Sequence, residues 1–377
     1  MTDKELGIYI HIPFCKKKCY YCDFISYCNE EEYIEKYIDA IIKEIEFREN
    51  QMLERNITTI YIGGGTPSFI EAQYISKILK KLNINNNQEI TIEVNPGTVT
   101  EQKLEEYKNI GINRISIGLQ ETHNNLLKQI GRIHTYEEFL KTYEMVRKVG
   151  FKNVNVDLII GLPNQSIQDI KENLERIREL NPEHISIYSL IVEEETVLSK
   201  KIESGEERLP NEELERNMYW YVKNKLELYG YKHYEISNFA KPGYESKHNM
   251  NCWSQKEYIG FGVAAHSYLN LERFSNINNL TEYIKNIENN NMDENVVLQE
   301  KQEIEDAQKE FMLLGLRKIY GVSISEFKNK FRNNPIFLYK KELNELIEQG
   351  LLRIDLDNIK LTDKGLDLAN VVWENFV

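Results

Sequence analysis

The residues best equipped for chemistry come early. Cys15, Cys19 and Cys22 stand four and three positions apart in the run Tyr9-Ile10-His11-Ile12-Pro13-Phe14-Cys15-Lys16-Lys17-Lys18-Cys19-Tyr20-Tyr21-Cys22. Thiolates are the ligands that soft iron and zinc prefer, and cysteine-only sites normally use four of them. Three close thiols with no obvious fourth describe a cluster in which one metal keeps an open position, where a further ligand can bind and react. A structural zinc that borrows Cys28 or a histidine is the alternative. Buried inert thiols fit less well, because Lys16, Lys17 and Lys18 make the loop electropositive, which favours the thiolate. Farther along, Gly63-Gly64-Gly65-Thr66 offers a backbone without Cβ atoms and with N–H groups free for a ligand, although three glycines also suit a plain tight turn. Glu93 precedes a turn, where it is either a ligand contact or a solvated acid. Asp157 lies on an apolar run and needs an ion pair or hydrogen bonds if buried.

Cys-x3-Cys-x2-Cys with the aromatic Tyr21 before the third cysteine resembles the radical S-adenosylmethionine (SAM) superfamily. The resemblance implies a [4Fe–4S] cluster on Cys15, Cys19 and Cys22, whose fourth iron is chelated by the amino and carboxylate groups of SAM. It also implies reductive cleavage of SAM to methionine and a 5′-deoxyadenosyl radical, with the protein positioning cofactors that carry the hard chemistry. The lead-in Tyr9-x-His11-Ile12-Pro13-Phe14-Cys15 narrows the resemblance to the branch of oxygen-independent coproporphyrinogen III oxidases and haem chaperones. Matched to that branch, Tyr9, Tyr21, Gly64, Gly65, Thr66, Glu93, Gln120, Arg132 and Asp157 form the SAM pocket. The glycine run would hold the methionyl end, and Glu93 would accept the ribose hydroxyls. His123 and His134 have no motif context and read as bystanders.

These residues need elements to position them. From residue 6 to 192, short β-rich runs alternate with longer helical ones. Strands are expected over 6–12, 58–62, 89–94, 114–118, 153–160 and 185–190, and amphipathic helices over 33–45, 75–82, 104–110, 139–149 and 170–180. Six βα repeats without hairpin signals predict an α/β fold with a parallel sheet covered by helices. Periodicity does not separate an open doubly wound sheet from a barrel. The family resemblance does, implying a partial (β/α)6 TIM-type radical SAM barrel. Ligands in such folds gather at the carboxyl ends of strands, where the motifs fall.

A helix is expected over 211–228, and the Asn/Ile/Glu-rich stretch 276–295 reads as a linker or a solvated helix boundary. Helices over 307–316, 325–331 and 338–349, a hairpin of 351–355 with 358–361 and a terminal helix over 363–375 predict a winged-helix-like α+β domain. The run Leu361-Thr362-Asp363-Lys364-Gly365-Leu366 matches the C-terminal domain of the same branch. The expected division is 1–270 for the barrel with its extension, 271–298 for the linker and 299–377 for the C-terminal domain. Acids outnumber bases from residue 300 onward, so capping of the barrel mouth is expected of this domain rather than DNA binding.

A second informative region holds Tyr234-Glu235-Ile236-Ser237-Asn238-Phe239-Ala240, then Lys247-His248-Asn249-Met250-Asn251-Cys252-Trp253, then His266. The first two runs look like the haem chaperone type, in which the second is associated with haem. Neutral imidazole can ligate haem iron and Trp253 can pack on the macrocycle. His248, Asn249, Cys252, Trp253 and His266 are therefore haem or second-site candidates, a brace for a barrel-edge loop being the plain alternative for His248 and Trp253. Cys252 stands where the type usually has tyrosine.

Phe24 stands where the oxidases carry a fourth cysteine, and only a few residues precede the first strand where they have an extension. With the His248 signature, these features favour a chaperone that passes haem to apo-haemoproteins, membrane-associated ones included. The alternative is an oxidase that converts two propionates of coproporphyrinogen III to vinyl groups. Either needs an electron donor for the cluster, and the resemblance allows a monomer or a cluster-dependent homodimer.

A net charge of −13 argues against nucleic acid or anionic lipid as partner. No stretch approaches the roughly 18–20 apolar residues of a membrane span, and no signal peptide is visible. Five cysteines, three of them in one motif, do not make a disulfide framework. The expectation is a cytoplasmic, oxygen-sensitive protein.

Overall fold

The structure is a computed structural model, and it describes residues 4–82, 84–85 and 87–376. Strands β1 (Lys4–Ile12), β2 (Arg55–Gly64), β3 (Glu89–Val94), β4 (Arg114–Gln120), β5 (Val154–Ile160) and β6 (His184–Ser189) are parallel neighbours in that order. Every second residue along them is aliphatic and buried: Ile8, Ile10 and Ile12, Ile60 and Ile62, Ile115 and Ile117, Val154 and Val156, Ile185 and Ile187. Strand residues two apart share a face. This face joins the apolar stripes of the covering helices, among them Ile38 and Ile41 of Ile34–Phe47 and Leu174 and Ile177 of Ile167–Leu180, in one core. The opposite face is polar. It carries Tyr61, Glu93, Ser116, Asn155, Asp157, His184 and Ser186, which bond to one another across strands. A parallel sheet buried in apolar surroundings on both sides reads as a continuous apolar run. Here the alternation persists because the sheet curls round a polar lumen.

The six expected strands are the centre of a twelve-stranded sheet among the described residues. Beyond β6 lie the antiparallel β8 (Asn238–Ala240) and β7 (Lys232–Glu235). On the other side β9 (Glu257–Phe261) runs parallel to β1, and β10 (His266–Leu269), β11 (Glu272–Asn276) and β12 (Val296–Lys301) follow antiparallel. The order is open, with β12 and β7 as its edges.

The stretch read as a linker is structured. Between β11 and β12 the helix Leu280–Glu288 buries Leu280, Tyr283, Ile284 and Ile287 in the main core. Tyr283 Oη donates to the buried Glu44 at 2.6 Å, and Glu44 also accepts from Gly262 N at 2.9 Å and pairs with Arg48 at 3.0 Å. Of the asparagines that suggested a linker, Asn276, Asn286 and Asn295 are buried, with Asn276 donating to Glu44 at 2.8 Å and Asn286 to Asn295 at 2.9 Å.

Residues from Ile304 onward have a second core around Phe311, Phe327, Leu343, Ile359 and Val372. Helices Ile304–Gly315, Ile324–Phe331 and Lys340–Glu348 pack with β13 (Val322–Ser323), β14 (Leu352–Asp355) and β15 (Asn358–Leu361), paired in the order β13-β15-β14. This is the winged-helix order. The expected terminal helix is instead two short ones, Asp363–Asp367 and Ala369–Trp373, separated at Leu368, whose φ of −118° and ψ of 34° leave the helical region. The unit does not cap the mouth. It pairs with the chain beside β7, through Ile319 N to Tyr234 O at 3.1 Å and Ile236 N to Arg317 O at 3.1 Å. None of its described residues lines the cavity described below.

Candidate functional site

The cysteine loop leaves the carboxyl end of β1 and is clamped against the end of β2. Gly65 N donates to Ile12 O and Thr66 N to Phe14 O, each at 2.9 Å, and Cys15 N donates to Tyr27 O at 2.9 Å. A Cβ on Gly65 would stand 3.0 Å from Cys15 Sγ and from the Pro13 carbonyl carbon. One on Gly64, where φ is +116°, would stand 2.7 Å from the His11 ring. Gly64 N turns to Glu93 at 3.3 Å. The N–H groups of Gly64, Gly65 and Thr66 are thus engaged within the protein, contrary to their expected freedom. What the glycines provide is close approach of the loop to the strand.

The lysines do not dominate the loop either. Burial raises the Cys15 thiol, and burial together with Cys19 pushes Cys22 up to about 11 against the smaller pull of Lys18. Lys18 Nζ is engaged with Phe24 O at 3.0 Å. A coordinated metal, rather than the lysines, would have to remove these protons, which coordination does outright. No group of three or more His, Cys, Asp or Glu among the described residues gathers closely enough to chelate one ion. Three thiols in one loop are a donor set that a polynuclear cluster can use, each thiolate taking its own iron.

Cys15, Cys19 and Cys22 form one wall of a cavity of about 490 Å³ at the carboxyl ends of the strands. Of the residues expected in the pocket, Tyr21, Gly64, Gly65, Thr66, Glu93, Gln120, Arg132 and Asp157 line it. Tyr9 does not: its hydroxyl meets His11 Nδ1 at 2.9 Å and its ring stacks on Tyr61. Glu93 accepts from Tyr61 Oη at 2.8 Å, yet burial pushes its carboxyl up to about 7. Burial also raises Asp157, opposed by donors from Asn155 at 2.7 Å and Ser116 at 3.1 Å. Arg132 donates to Gly118 O at 2.6 Å and Asn95 Oδ1 at 2.9 Å and reaches Cys19 Sγ at 3.6 Å. His134, expected to be a bystander, holds that arginine: its Nδ1 accepts from Arg132 Nε at 3.3 Å. The pairing of β4 with β5 shifts register between Gly118 and Gln120, and Gln120 takes a φ of +73° at the cavity wall. Such strain at a site is a mark of ligand-facing backbone.

Sequence reasoning missed Tyr61, Asn95, Ser116 and Tyr188, which also line the cavity. Parity could have found three of them, since Tyr61, Ser116 and Tyr188 occupy the polar face of their strands. At the rim Phe24 and Ile191 are 64% and 69% exposed, beside Lys17 and Lys18.

The second set of candidates lies elsewhere. His248, on the helix Lys247–Trp253, is buried in the lumen below the cavity. Its Nδ1 is 2.9 Å from Thr59 Oγ1, its ring packs 5.3 Å from that of Tyr61, and its backbone N–H donates to Glu89 at 3.1 Å. Burial, then Arg114, lowers its pKa to about 4. Asn249 N is capped by Ser246, burial lifts the Cys252 thiol to about 11, and Trp253 lies 4.4 Å under the Arg317 guanidinium. His266 is exposed on β10. His248, Asn249, Cys252, Trp253 and His266 are not at the cavity wall. His123 bridges Glu121 and Glu172 at 2.8 and 2.9 Å on the outside of the barrel.

Residues 9–177 match the radical SAM superfamily and residues 304–368 the HemN C-terminal domain. "Heme chaperone HemW" of Lactococcus lactis subsp. lactis is 40% identical over 381 residues, covering 100% of this chain and 98% of its own length. "Heme chaperone HemW" of Bacillus subtilis is 36% identical over 376 residues, covering 98% of each. Among solved structures, coproporphyrinogen III oxidase (HemN) from Escherichia coli, described as a radical SAM enzyme, superposes with a TM-score of 0.86 at 23% identity. That match covers 99% of this chain and 90% of that one, and it establishes the shared fold.

Proposed function

The chain belongs to the HemW family of radical SAM proteins, and we propose that it is a haem chaperone that binds a [4Fe–4S] cluster, SAM and haem and delivers haem to apo-haemoproteins. Cys15, Cys19 and Cys22 would hold the cluster. Tyr21, Gly64, Gly65, Thr66, Glu93, Gln120, Arg132 and Asp157 would hold SAM, with Tyr9 supporting the wall through Tyr61. A reduced cluster, when bound, supplies an electron and an open iron position. The observation that carries the proposal is one cavity that joins three thiols to two partly buried carboxylates and a partly buried arginine. Glu93 and Asp157 attract the sulfonium cation and can accept ribose hydroxyls, while Arg132 complements a carboxylate. An external one-electron donor is the further partner this reading requires. No helix among the described residues is long and apolar enough to cross a membrane.

For haem itself two placements compete. His248 reaches a haem iron only if the helix Lys247–Trp253 leaves Thr59 and Glu89. Phe24 and Ile191 at the rim offer an apolar surface beside two lysines suited to propionates. Haem affinity lost in His248→Ala supports the first, and loss in Phe24→Ser supports the second.

The deciding experiment is an anaerobic incubation of cluster-loaded protein with reductant, SAM and coproporphyrinogen III, with haem offered in parallel. Unchanged porphyrinogen by mass spectrometry, together with a haem–protein complex that survives desalting, is the expected result. Loss of two carboxyl groups over many turnovers would make the protein an oxidase.

A further inference from the structure

Below the cavity a hydrogen-bond chain crosses the lumen, and both its ends have fixed polarity. At the far end the backbone N–H of Ser246 donates to Tyr234 Oη at 3.2 Å. Tyr234 Oη lies 2.7 Å from His184 Nε2, and His184 Nδ1 lies 2.6 Å from Asn155 Oδ1. Asn155 Nδ2 donates to Asp157 Oδ1 and to Ser116 Oγ, each at 2.7 Å, and Ser116 Oγ donates to Asp157 Oδ2 at 3.1 Å. Ser246, Tyr234, His184, Asn155 and Ser116 are all buried.

An ionised carboxylate only accepts, so Asn155 must turn its NH2 toward Asp157 and its carbonyl toward His184. His184 then carries its proton on Nδ1, which leaves Nε2 to accept from the Tyr234 O–H. Tyr234 keeps a lone pair for the Ser246 N–H. Ser186 Oγ, which donates to Asn155 Oδ1 at 3.2 Å, agrees with this assignment. Asp157 and Ser116 reach the cavity wall; Asn155, His184, Tyr234 and Ser246 behind them do not.

We propose that Ser246, Tyr234, His184 and Asn155 form a positioning relay that keeps Asp157 turned to the cavity as a hydrogen-bond acceptor and ties the helix Lys247–Trp253 to the ligand pocket. The proposal rests on the reading of the cavity as a SAM pocket. If His184 cannot donate, the Asn155 oxygen keeps only the longer Ser186 bond at 3.2 Å, and the sense of the amide is held less firmly. When its oxygen faces Asp157, the acid must take up a proton to bond to it, and a protonated Asp157 no longer attracts a cationic ligand. A network that merely braced the lumen would alter stability without this signature. Asp157 is also faced by Glu93 on β3, Arg114 on β4, Tyr61 on β2 and Tyr188 on β6. These groups are common to wild type and variants, so the relay is read as the difference between them.

The test is SAM affinity as a function of pH, by calorimetry on full-length, cluster-loaded protein. In His184→Leu and in Tyr234→Phe the affinity should fall about tenfold near neutral pH, roughly one charge-assisted hydrogen bond. The acid limb of the profile should move to higher pH with cluster content unchanged. His184→Gln, whose amide can donate to Asn155 and accept from Tyr234, should restore most of the affinity. If His184→Leu fails to fold, Tyr234→Phe, which removes a single oxygen, carries the test. Wild-type affinity and an unmoved acid limb in the leucine and phenylalanine variants, with SAM still bound, would overturn the relay alone. No SAM binding by the wild type would overturn the pocket reading and the relay with it.

Discussion

Glu93 sits between Tyr61 and Gly64 with its carboxyl lifted by burial to about 7. A carboxyl whose folded pKa exceeds its unfolded value binds its proton more tightly in the native state. The cost of Glu93 is therefore absent at low pH, grows as pH rises from about 4.5 to about 7, and is constant above that. Glu93→Gln, which still accepts from Tyr61, should raise the unfolding free energy by about 3 kcal/mol at pH 8 and by almost nothing near pH 4.5. Urea titrations at the two pH values check this, and an equal gain at both would remove burial as the cause. Such a destabilised acid is what a site for a cation looks like before its ligand arrives. The cysteines make a separate prediction: Cys19→Ala should lose the brown absorption of anaerobically purified protein, and iron and sulfide at wild-type stoichiometry in that variant would sink the cluster assignment. The type and spacing of these residues were legible in the sequence. The state of their protons was not, because burial outweighs the neighbouring lysines only once the loop is seated on β2.

At the scale of elements, the βα repeat was legible in the alternation of β-rich and helical runs. Alternation along β1 to β6 marks one face for helices and one for the lumen, and the acids at strand ends follow from it. Where apolar residues were sparse the sequence was misread. Helix Leu280–Glu288 buries the apolar Leu280, Tyr283, Ile284 and Ile287 together with Asn286, and its surroundings are so rich in Asn and Glu that composition masked the period. Tyr283→Ala should cost about 3–5 kcal/mol, the range for removing a large buried aromatic side chain. Tyr283→Phe should cost about 1 kcal/mol, since Glu44 keeps Gly262, Asn276 and Arg48. Denaturant midpoints separate the two, and near-equal losses would mean that the hydroxyl, not the packing, holds the element.

At the scale of the molecule, the C-terminal unit is joined to the barrel's lower side, away from the cysteines. Arg317 lies over Trp253 at 4.4 Å and Trp373 at 5.0 Å, and Asp367 holds Arg216 and Trp220. Trp253→Ala removes one of the two rings and should weaken docking by about 1–2 kcal/mol. The Ile236 and Ile319 amides, which cross the junction, should then exchange hydrogen faster, while those of β1 to β3 keep their protection. Unchanged exchange at both amides would show that Trp253 does not carry the junction. In this arrangement the motif helix Lys247–Trp253 is a wedge between barrel and C-terminal unit, linked through Ser246 and Tyr234 toward Asp157 at the cavity wall.

Local spacing by itself determined the three cysteines and the βα repeat, because each depends only on near neighbours along the chain; the family resemblance added Tyr21, Gly64, Gly65, Thr66, Glu93, Gln120, Arg132 and Asp157, while Tyr61, Asn95, Ser116 and Tyr188 came only with the fold. Tertiary structure alone decided that the N–H groups of Gly64, Gly65 and Thr66 are engaged, that His248 is buried against Thr59, and that the C-terminal unit leaves the mouth open. Those outcomes depend on which distant segments meet, and the free energies of such meetings are not written in any one stretch of sequence.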